Sequence, residues 1–197
     1  RNLMAEAAGR SFDEVAQAAS RQWDEQLGSI EVEGTDDQKT MFYTSYYHTM
    51  INPSVYMDVD GRYRGLDQNV HQADGFENYT VFSLWDTYRA EHPLLMLMKP
   101  ERARNMVMSM LRHQQQSAHG LLPVWSHMAN DNWCMSGYHA TSVLADAITK
   151  GADVDADEAL KAMVTTSNVG YLDGVADYVK LGYVPFEHSN TAASTTL

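Results

Sequence analysis

The sequence predicts an all-α fold: part of an α/α toroid built of helical hairpins, with one β-hairpin inserted. Three observations carry this. Helix-start signals recur along the chain, each followed by apolar residues at helical spacing. The period changes once, around Asp60-Gly61. Long aromatic loops fall between helix pairs, and the pairs differ too much in sequence for a close solenoid repeat. A helical solenoid is the other architecture that suits the pattern.

The elements follow in order. Ser11-Phe-Asp-Glu14 is a capping box, opening a helix that stops at Gly28. Thr35-Asp-Asp-Gln38 is a second box, opening a helix through KTMFYTSYYHTM that ends before Pro53. SVYMDV and RYRGLD then flank Asp60-Gly61, a two-residue hairpin signal. Helical pattern returns over 79–98, and Pro93 is expected to kink or end it near His92. Pro100 suits the first turn of a helix reaching about Ser117. Residues 118–133, AHGLLPVWSHMANDNW, read as a long loop. A helix over 135–150 is stopped by Gly151, Asp155 caps another through Val164, and a short one fits 171–180. LGYVPFEHSNTAASTTL reads as loop. Met96, Met98, Met106, Met108 and Met110 lie at helical spacing and read as core filling.

Composition narrows the function. A chain of 197 residues with 44% hydrophobic and 20% charged residues suits one globular domain. Its net charge of −12 disfavours nucleic acid and anionic membranes, whose phosphates and headgroups it repels. Neutral substrates or a metal cation remain. Cys134 is the one cysteine, so no internal disulfide forms. No stretch approaches a membrane span, and RNLMAEAAGR lacks the apolar core of a signal peptide. The absent initial methionine and polar last residues are expected of a piece of something longer.

Two constellations carry chemistry. In FSLWDTYRAEHPL, residues 82–94, apolar side chains cover a helix nearly all round, which implies burial. Asp86 and Arg89 are three apart and can pair. One reading is a structural ion pair closing a buried helix. The other is a sugar or small-molecule site, where Trp85 offers a ring face and Asp86 accepts hydroxyl hydrogen bonds. The second constellation, LPVWSHMANDNWCMSGYH over 122–139, packs Trp125, Asn130, Asp131, Trp133, Cys134 and His139 into a loop and the following helix start. Asn130 or Asn132 can cap a helix beginning at Met135. Cys134 and His139 have little to support a nucleophilic pair, and the spacing fits no zinc site. Asp58-Val-Asp60-Gly61 resembles the start of a calcium loop but lacks its distal ligands, and the hairpin turn explains it.

Several blocks, in order, resemble glycoside hydrolase family 92, the calcium-dependent exo-acting α-mannosidases. They are FYTSYYHTMINPSVY (42–56), YMDVDGRYRGLD (56–67), YTVFSLWDTYRAEHPL (79–94), LPVWSHMANDNWCMSGYHATSVLADAITKG (122–151) and the weaker GYVPFEHSNTAASTTL (182–197). The resemblance implies an N-terminal β-sandwich followed by an (α/α)6 toroid, with residues 1–197 forming part of that single catalytic domain. The sandwich and the C-terminal half of the toroid are then absent. It implies release of terminal mannose from N-glycans by an inverting mechanism, with calcium as cofactor and most of its ligands outside this chain. It implies a periplasmic or extracellular location. The family's proton donor, in a Glu-Gly-Asn-Ala-Trp type block, and its general base have no match in residues 1–197. The chain by itself is therefore expected to be inactive and to need the rest of its polypeptide as partner. The residues it implies for substrate are Trp85, Asp86, Arg89, Trp125, Asn130, Asp131, Trp133 and His139, with Arg89 holding Asp86 ionised and oriented. Asp131 stands where the family usually has Glu. A non-catalytic helical carbohydrate-binding or scaffold domain is the alternative, and another α/α-toroid glycosidase a further one.

Overall fold

The computed structural model describes residues 1–135, 137–171 and 174–188. The end of the loop expected after residue 180, and part of the helix expected over 171–180, lie outside the described residues. The chain divides into two compact units, Arg1–Asn52 and Pro53–Leu197.

The first unit is helical. A short helix not anticipated from the sequence, α1 (Asn2–Ala7), precedes α2 (Phe12–Leu27) and α3 (Asp36–His48). Both expected capping boxes form: Ser11 with Glu14, and Thr35 with Gln38. Each box satisfies two amides that a helix start leaves without partners. The α2–α3 hairpin is closed by rings and hydroxyls. Trp23 and Tyr47 lie 4.6 Å apart, the Tyr43 hydroxyl donates to the Ile30 carbonyl at 3.0 Å, and Ser29 bonds the Tyr46 hydroxyl at 2.9 Å.

The second unit opens with short strands. β1 (Ser54–Val55) pairs antiparallel with β4 (Tyr79–Thr80), and β2 (Arg62–Arg64) pairs with β3 (Val70–Gln72). The hairpin is thus real but displaced. Asp60-Gly61 forms a turn, with the Gly61 amide on the Asp58 carbonyl at 2.8 Å. Past that turn the Arg62 carbonyl accepts the Asp58 amide at 2.7 Å, but the ladder of β2 is formed forward, with β3 across 65–69.

The helix expected over 79–98 is corrected into four pieces. β4 is followed by β5 (Phe82–Ser83), then by the single turn α4 (Leu84–Thr87) and α5 (Glu91–Met98). Val81 causes the break. Its φ is +65°, a conformation costly for a β-branched residue, and it turns the chain from pairing with β1 to pairing with β6 (Trp125–Ser126). Pro93 sits in the first turn of α5, where no intrahelical N–H is required, so it opens that helix instead of kinking a longer one.

The core lies among α5, α6 (Pro100–Gln116), α7 (His139–Thr149) and α8 (Ala156–Ser167). The helix buried nearly all round is α6, not 82–94. It buries Ala103, Met106, Val107, Met110 and Leu111, together with Asn105, Ser109 and His113. Each large apolar side chain so buried contributes roughly 1.5–3 kcal/mol. Met106 and Met110 are core as expected. Ala140, Ala147, Ala159 and Ala162 keep α7 and α8 close to their neighbours. The helix expected over 135–150 begins only at His139, with Tyr138 before it and no side-chain cap, so neither Asn130 nor Asn132 caps it. Gly151, at φ +84°, ends α7, and Asp155 caps α8 through the amides of Asp157 and Glu158. A last helix, α9, spans Val175–Leu181.

These helices form antiparallel hairpins. Arg104, near the start of α6, donates to the Asp153 carbonyl in the α7–α8 turn at 2.9 Å. The Leu122 amide, after α6, donates to Thr166 at the end of α8 at 3.0 Å. The end of α6, the start of α7 and the end of α8 therefore share one end of the second unit. Among the described residues no helix is long and apolar enough to cross a membrane.

Candidate functional site

That shared end gathers most of the residues singled out in the sequence. The β5–β6 ladder sets Ser83 opposite Trp125 and Phe82 opposite Ser126, joining the WDT turn to the 118–138 loop. The start of α7 then packs on the WDT turn. The His139 imidazole stacks on Tyr88 at 4.1 Å and 14°, and lies 5.3 Å from Trp85 at 57°. Tyr88 has no special mark in the sequence beyond its place after WDT. Gly137 is required beside this stack: its φ is +94°, and a Cβ there would lie 2.5 Å from the His139 ring.

Trp85 is 41% exposed, and Asp86 and Arg89 are exposed. The ion pair expected between Asp86 and Arg89 is not formed. Asp86 instead accepts a short hydrogen bond from Ser83, within its own turn. The Arg89 guanidinium lies over Tyr88 at 5.1 Å and over Trp85 at 5.7 Å. An exposed carboxylate keeps its water, so it has no need of a neutralising partner. The premise of a buried pair fails because α4 is one turn long and its outer side faces solvent.

The 118–138 loop is held from within by Asp131. This side chain is buried, and Oδ1 accepts from the amides of Trp125 (3.1 Å) and Trp133 (3.0 Å). Oδ2 accepts from the Val124 amide at 2.9 Å and lies 3.4 Å from Nε2 of buried His113. Burial alone would raise the Asp131 pKa. The His113 hydrogen bond and charge, with the Trp133 and Val124 amides, outweigh it and hold the carboxyl below the usual range. Thr80 accepts the Met128 amide at 2.8 Å, and Gln68 donates to the Ala129 carbonyl at 2.9 Å. Met128, Ala129, Trp133 and Met135 all have positive φ. Strain of this kind persists only where its surroundings over-determine it, and it concentrates at binding and catalytic sites.

Asn130 is exposed, and its backbone closes a tight turn with His127. Trp125 is half-buried, with the His127 ring 6.2 Å away. Trp133 is half-buried, edge-on to His119 at 5.6 Å. Cys134 is exposed, and its amide bonds the Asn132 side chain. Asp60 is taken up by Arg62 at 3.0 Å, as a hairpin residue. Among the described residues no three His, Cys, Asp or Glu side chains converge to hold a metal ion. Hollows among the described residues lie apart from these side chains. One, of about 20 Å³, is walled in part by Thr80, Ser109, His113, Gln116 and Ser126. The other, about 420 Å³, is an open groove along 55–58 and β2. Neither is lined by Trp85, Asp86 or Arg89.

Fold and site together define a domain of helical hairpins with one end bearing open aromatic rings and a solvated carboxylate. Over residues 1–197 the chain matches the glycosyl hydrolase family 92 catalytic domain, and it belongs to that family. It is similar to the solved family GH92 α-mannosidase BT3965 from Bacteroides thetaiotaomicron. In complex with mannoimidazole that structure matches at 44% identity and TM-score 0.92, over 95% of this chain and 25% of the other. A second structure of BT3965 matches at 43% and 0.94, over 99% and 26%. The family GH92 inverting mannosidase BT2199 from Bacteroides thetaiotaomicron VPI-5482 matches at 35% and 0.83, over 94% and 26%. The chain thus spans about a quarter of the length of these relatives. No protein of curated description matches it.

Proposed function

We propose that the chain is part of an exo-acting α-mannosidase that releases terminal mannose from N-glycans by an inverting mechanism. The observation that carries this is the convergence of Trp85, Asp86, Tyr88 and His139 with the strained loop of Trp125 and Trp133, in a chain of this family. The relatives' printed descriptions as α-mannosidases support the substrate class.

In this reading the chain supplies one wall of the sugar site. Asp86 accepts hydroxyl hydrogen bonds, held by Ser83, and Trp85 presents its face to the apolar C–H side of the ring. Arg89 keeps the Trp85 and Tyr88 rings in place rather than orienting Asp86. Asp131 shapes the wall from behind, while Asn130 stands at its edge. An inverting reaction needs one carboxylic acid at the leaving oxygen and one carboxylate to activate water on the opposite face. We assign both to parts of the enzyme outside this chain, which is inactive alone. The partners are the β-sandwich and the second half of the (α/α)6 toroid, of which residues 1–197 form the first part. Calcium, when bound, would help to hold and distort the sugar. We assign most of its ligands to parts of the enzyme outside this chain. A periplasmic or extracellular location suits a glycan substrate.

The test is mannose release by the full-length protein from α-mannosides, with and without a calcium chelator, the anomer formed being read by NMR. The expected result is chelator-sensitive release of the inverted anomer. Absence of mannose release from every α-mannoside, or insensitivity to the chelator, would sink the reading.

A further inference from the structure

A second aromatic group stands at the same end of the second unit. His119 follows α6, Trp133 precedes α7 and Tyr171 follows α8, and these helix ends lie together. The Trp133 and His119 rings meet edge-on, at 5.6 Å and 88°. Tyr171 lies 6.0 Å from His119, with its hydroxyl 3.3 Å from Nδ1. Tyr171 is 64% exposed, and His119 is exposed. Trp133 is held at φ +54° with its amide tied to buried Asp131. The same carboxylate ties the Trp125 amide, and Trp125 sits across the ladder from Ser83, the hydrogen-bond donor to Asp86. The aromatic group is therefore continuous, through the loop that Asp131 ties together, with the wall already described.

We infer that Trp133, His119 and Tyr171 form an outer subsite for a sugar unit of the glycan beyond the one at Trp85 and Asp86. The inference rests on the mannosidase reading. Three ring faces and edges suit the C–H side of a pyranose, and the imidazole and phenol groups suit its hydroxyls. The group is built of an indole, an imidazole and a phenol, with no Lys or Arg among its described ring and hydrogen-bond contacts, which suits a neutral sugar as the occupant. The Trp133 amide is tied to buried Asp131, so little ordering entropy is lost at that ring on binding.

The experiment compares kcat/KM of the full-length enzyme for an extended α-mannan oligosaccharide and for an α-mannosyl disaccharide. In Tyr171→Ala the ratio of the two is expected to fall about tenfold, the loss of one stacked ring with its hydrogen bond. Tyr171→Phe, which keeps the ring, should recover most of it. His119→Ala, at an exposed position, provides the same test if Tyr171→Ala fails to fold. Quenching of tryptophan emission by the oligosaccharide reads the subsite without turnover and should weaken in Tyr171→Ala. An unchanged ratio and unchanged quenching in a folded variant would overturn the subsite and mark the rings as a seat for another part of the polypeptide. If the wild type releases no mannose but quenching falls in the variant, the mannosidase reading fails and the oligosaccharide subsite stands.

Discussion

Asp131→Asn tests what holds the 118–138 loop in shape. The substitution keeps the side chain's size and one carbonyl oxygen. That oxygen is best placed at Oδ1, where it accepts from Trp125 and Trp133. The new NH2 then replaces Oδ2 and faces the Val124 amide and His113 Nε2. A buried amide left without an acceptor costs about 1–3 kcal/mol, and the two retained bonds lose their ionic character, about 1 kcal/mol more. The loss is therefore about 2–4 kcal/mol, read as a lowered Tm whose size shrinks as the cooperatively unfolding unit grows. The assay is thermal unfolding of the full-length enzyme, with hydrogen exchange at the Val124 amide as the local reading. The pH dependence has a definite sign. The folded Asp131 pKa is lowered, so its stabilisation is full above the unfolded carboxylate range and is lost as pH falls through the folded value. The gap between wild type and Asp131→Asn should narrow below about pH 4. An unchanged Tm and unchanged exchange at Val124 would refute the assignment of Asp131 as the loop's anchor.

Three further outcomes are expected. Asp86→Asn in the full-length enzyme should lower mannose release at least tenfold while changing stability by no more than about 0.5 kcal/mol, because the side chain is exposed; unfolding without loss of specific activity would make Asp86 structural. Glu91 is pushed up to about 7 by burial, against the opposing charge of Arg102, so its ionisation opposes folding as pH rises from about 4.5 to 7; Glu91→Gln should raise Tm at pH 8 and leave it nearly unchanged at pH 4, read by scanning calorimetry. Ser11→Ala removes the cap of α2 and should cost about 1 kcal/mol, visible as lost protection of the Glu14 amide in hydrogen exchange.

Local signals were legible in the sequence, and tertiary ones were not. Ser11, Thr35, Asp155, Pro100 and Gly151 act within one turn of themselves, so their helix ends fall where the residue types place them. The segment 79–98 misled because its apolar periodicity is equally served by alternating strand and helix. What decides is Val81, whose left-handed backbone is imposed by two ladders formed with residues about 25 before it and 44 after it. Asp131 could be singled out as a polar residue in an aromatic loop, but its inward direction depends on His113, which sits on α6 and carries no local mark. His119 and Tyr171 carry no mark in the sequence, and Tyr88 none beyond its place after WDT; the antiparallel packing of α6, α7 and α8 brings His119 and Tyr171 together, and the start of α7 meets Tyr88.

The correction at FSLWDTYRAEHPL changes what Asp86 has to be. A carboxylate on a helix buried all round requires a cation, and Arg89 was the only one within helical reach. On a single exposed turn the same carboxylate is solvated, and among the described residues it is the Ser83 hydroxyl that fixes its direction. Arg89 is then free to lie across Tyr88 and Trp85. This separates two roles that the sequence merges. Truncating Arg89 should loosen the Trp85 and Tyr88 rings, whereas removing the Ser83 hydroxyl should release the carboxylate. In the full-length enzyme Ser83→Ala should therefore reduce mannose release with the emission of Trp85 unchanged, and Arg89→Ala should alter that emission. If both substitutions move both readings equally, the two residues act as one network with Asp86 and the separation argued from the exposed turn is wrong.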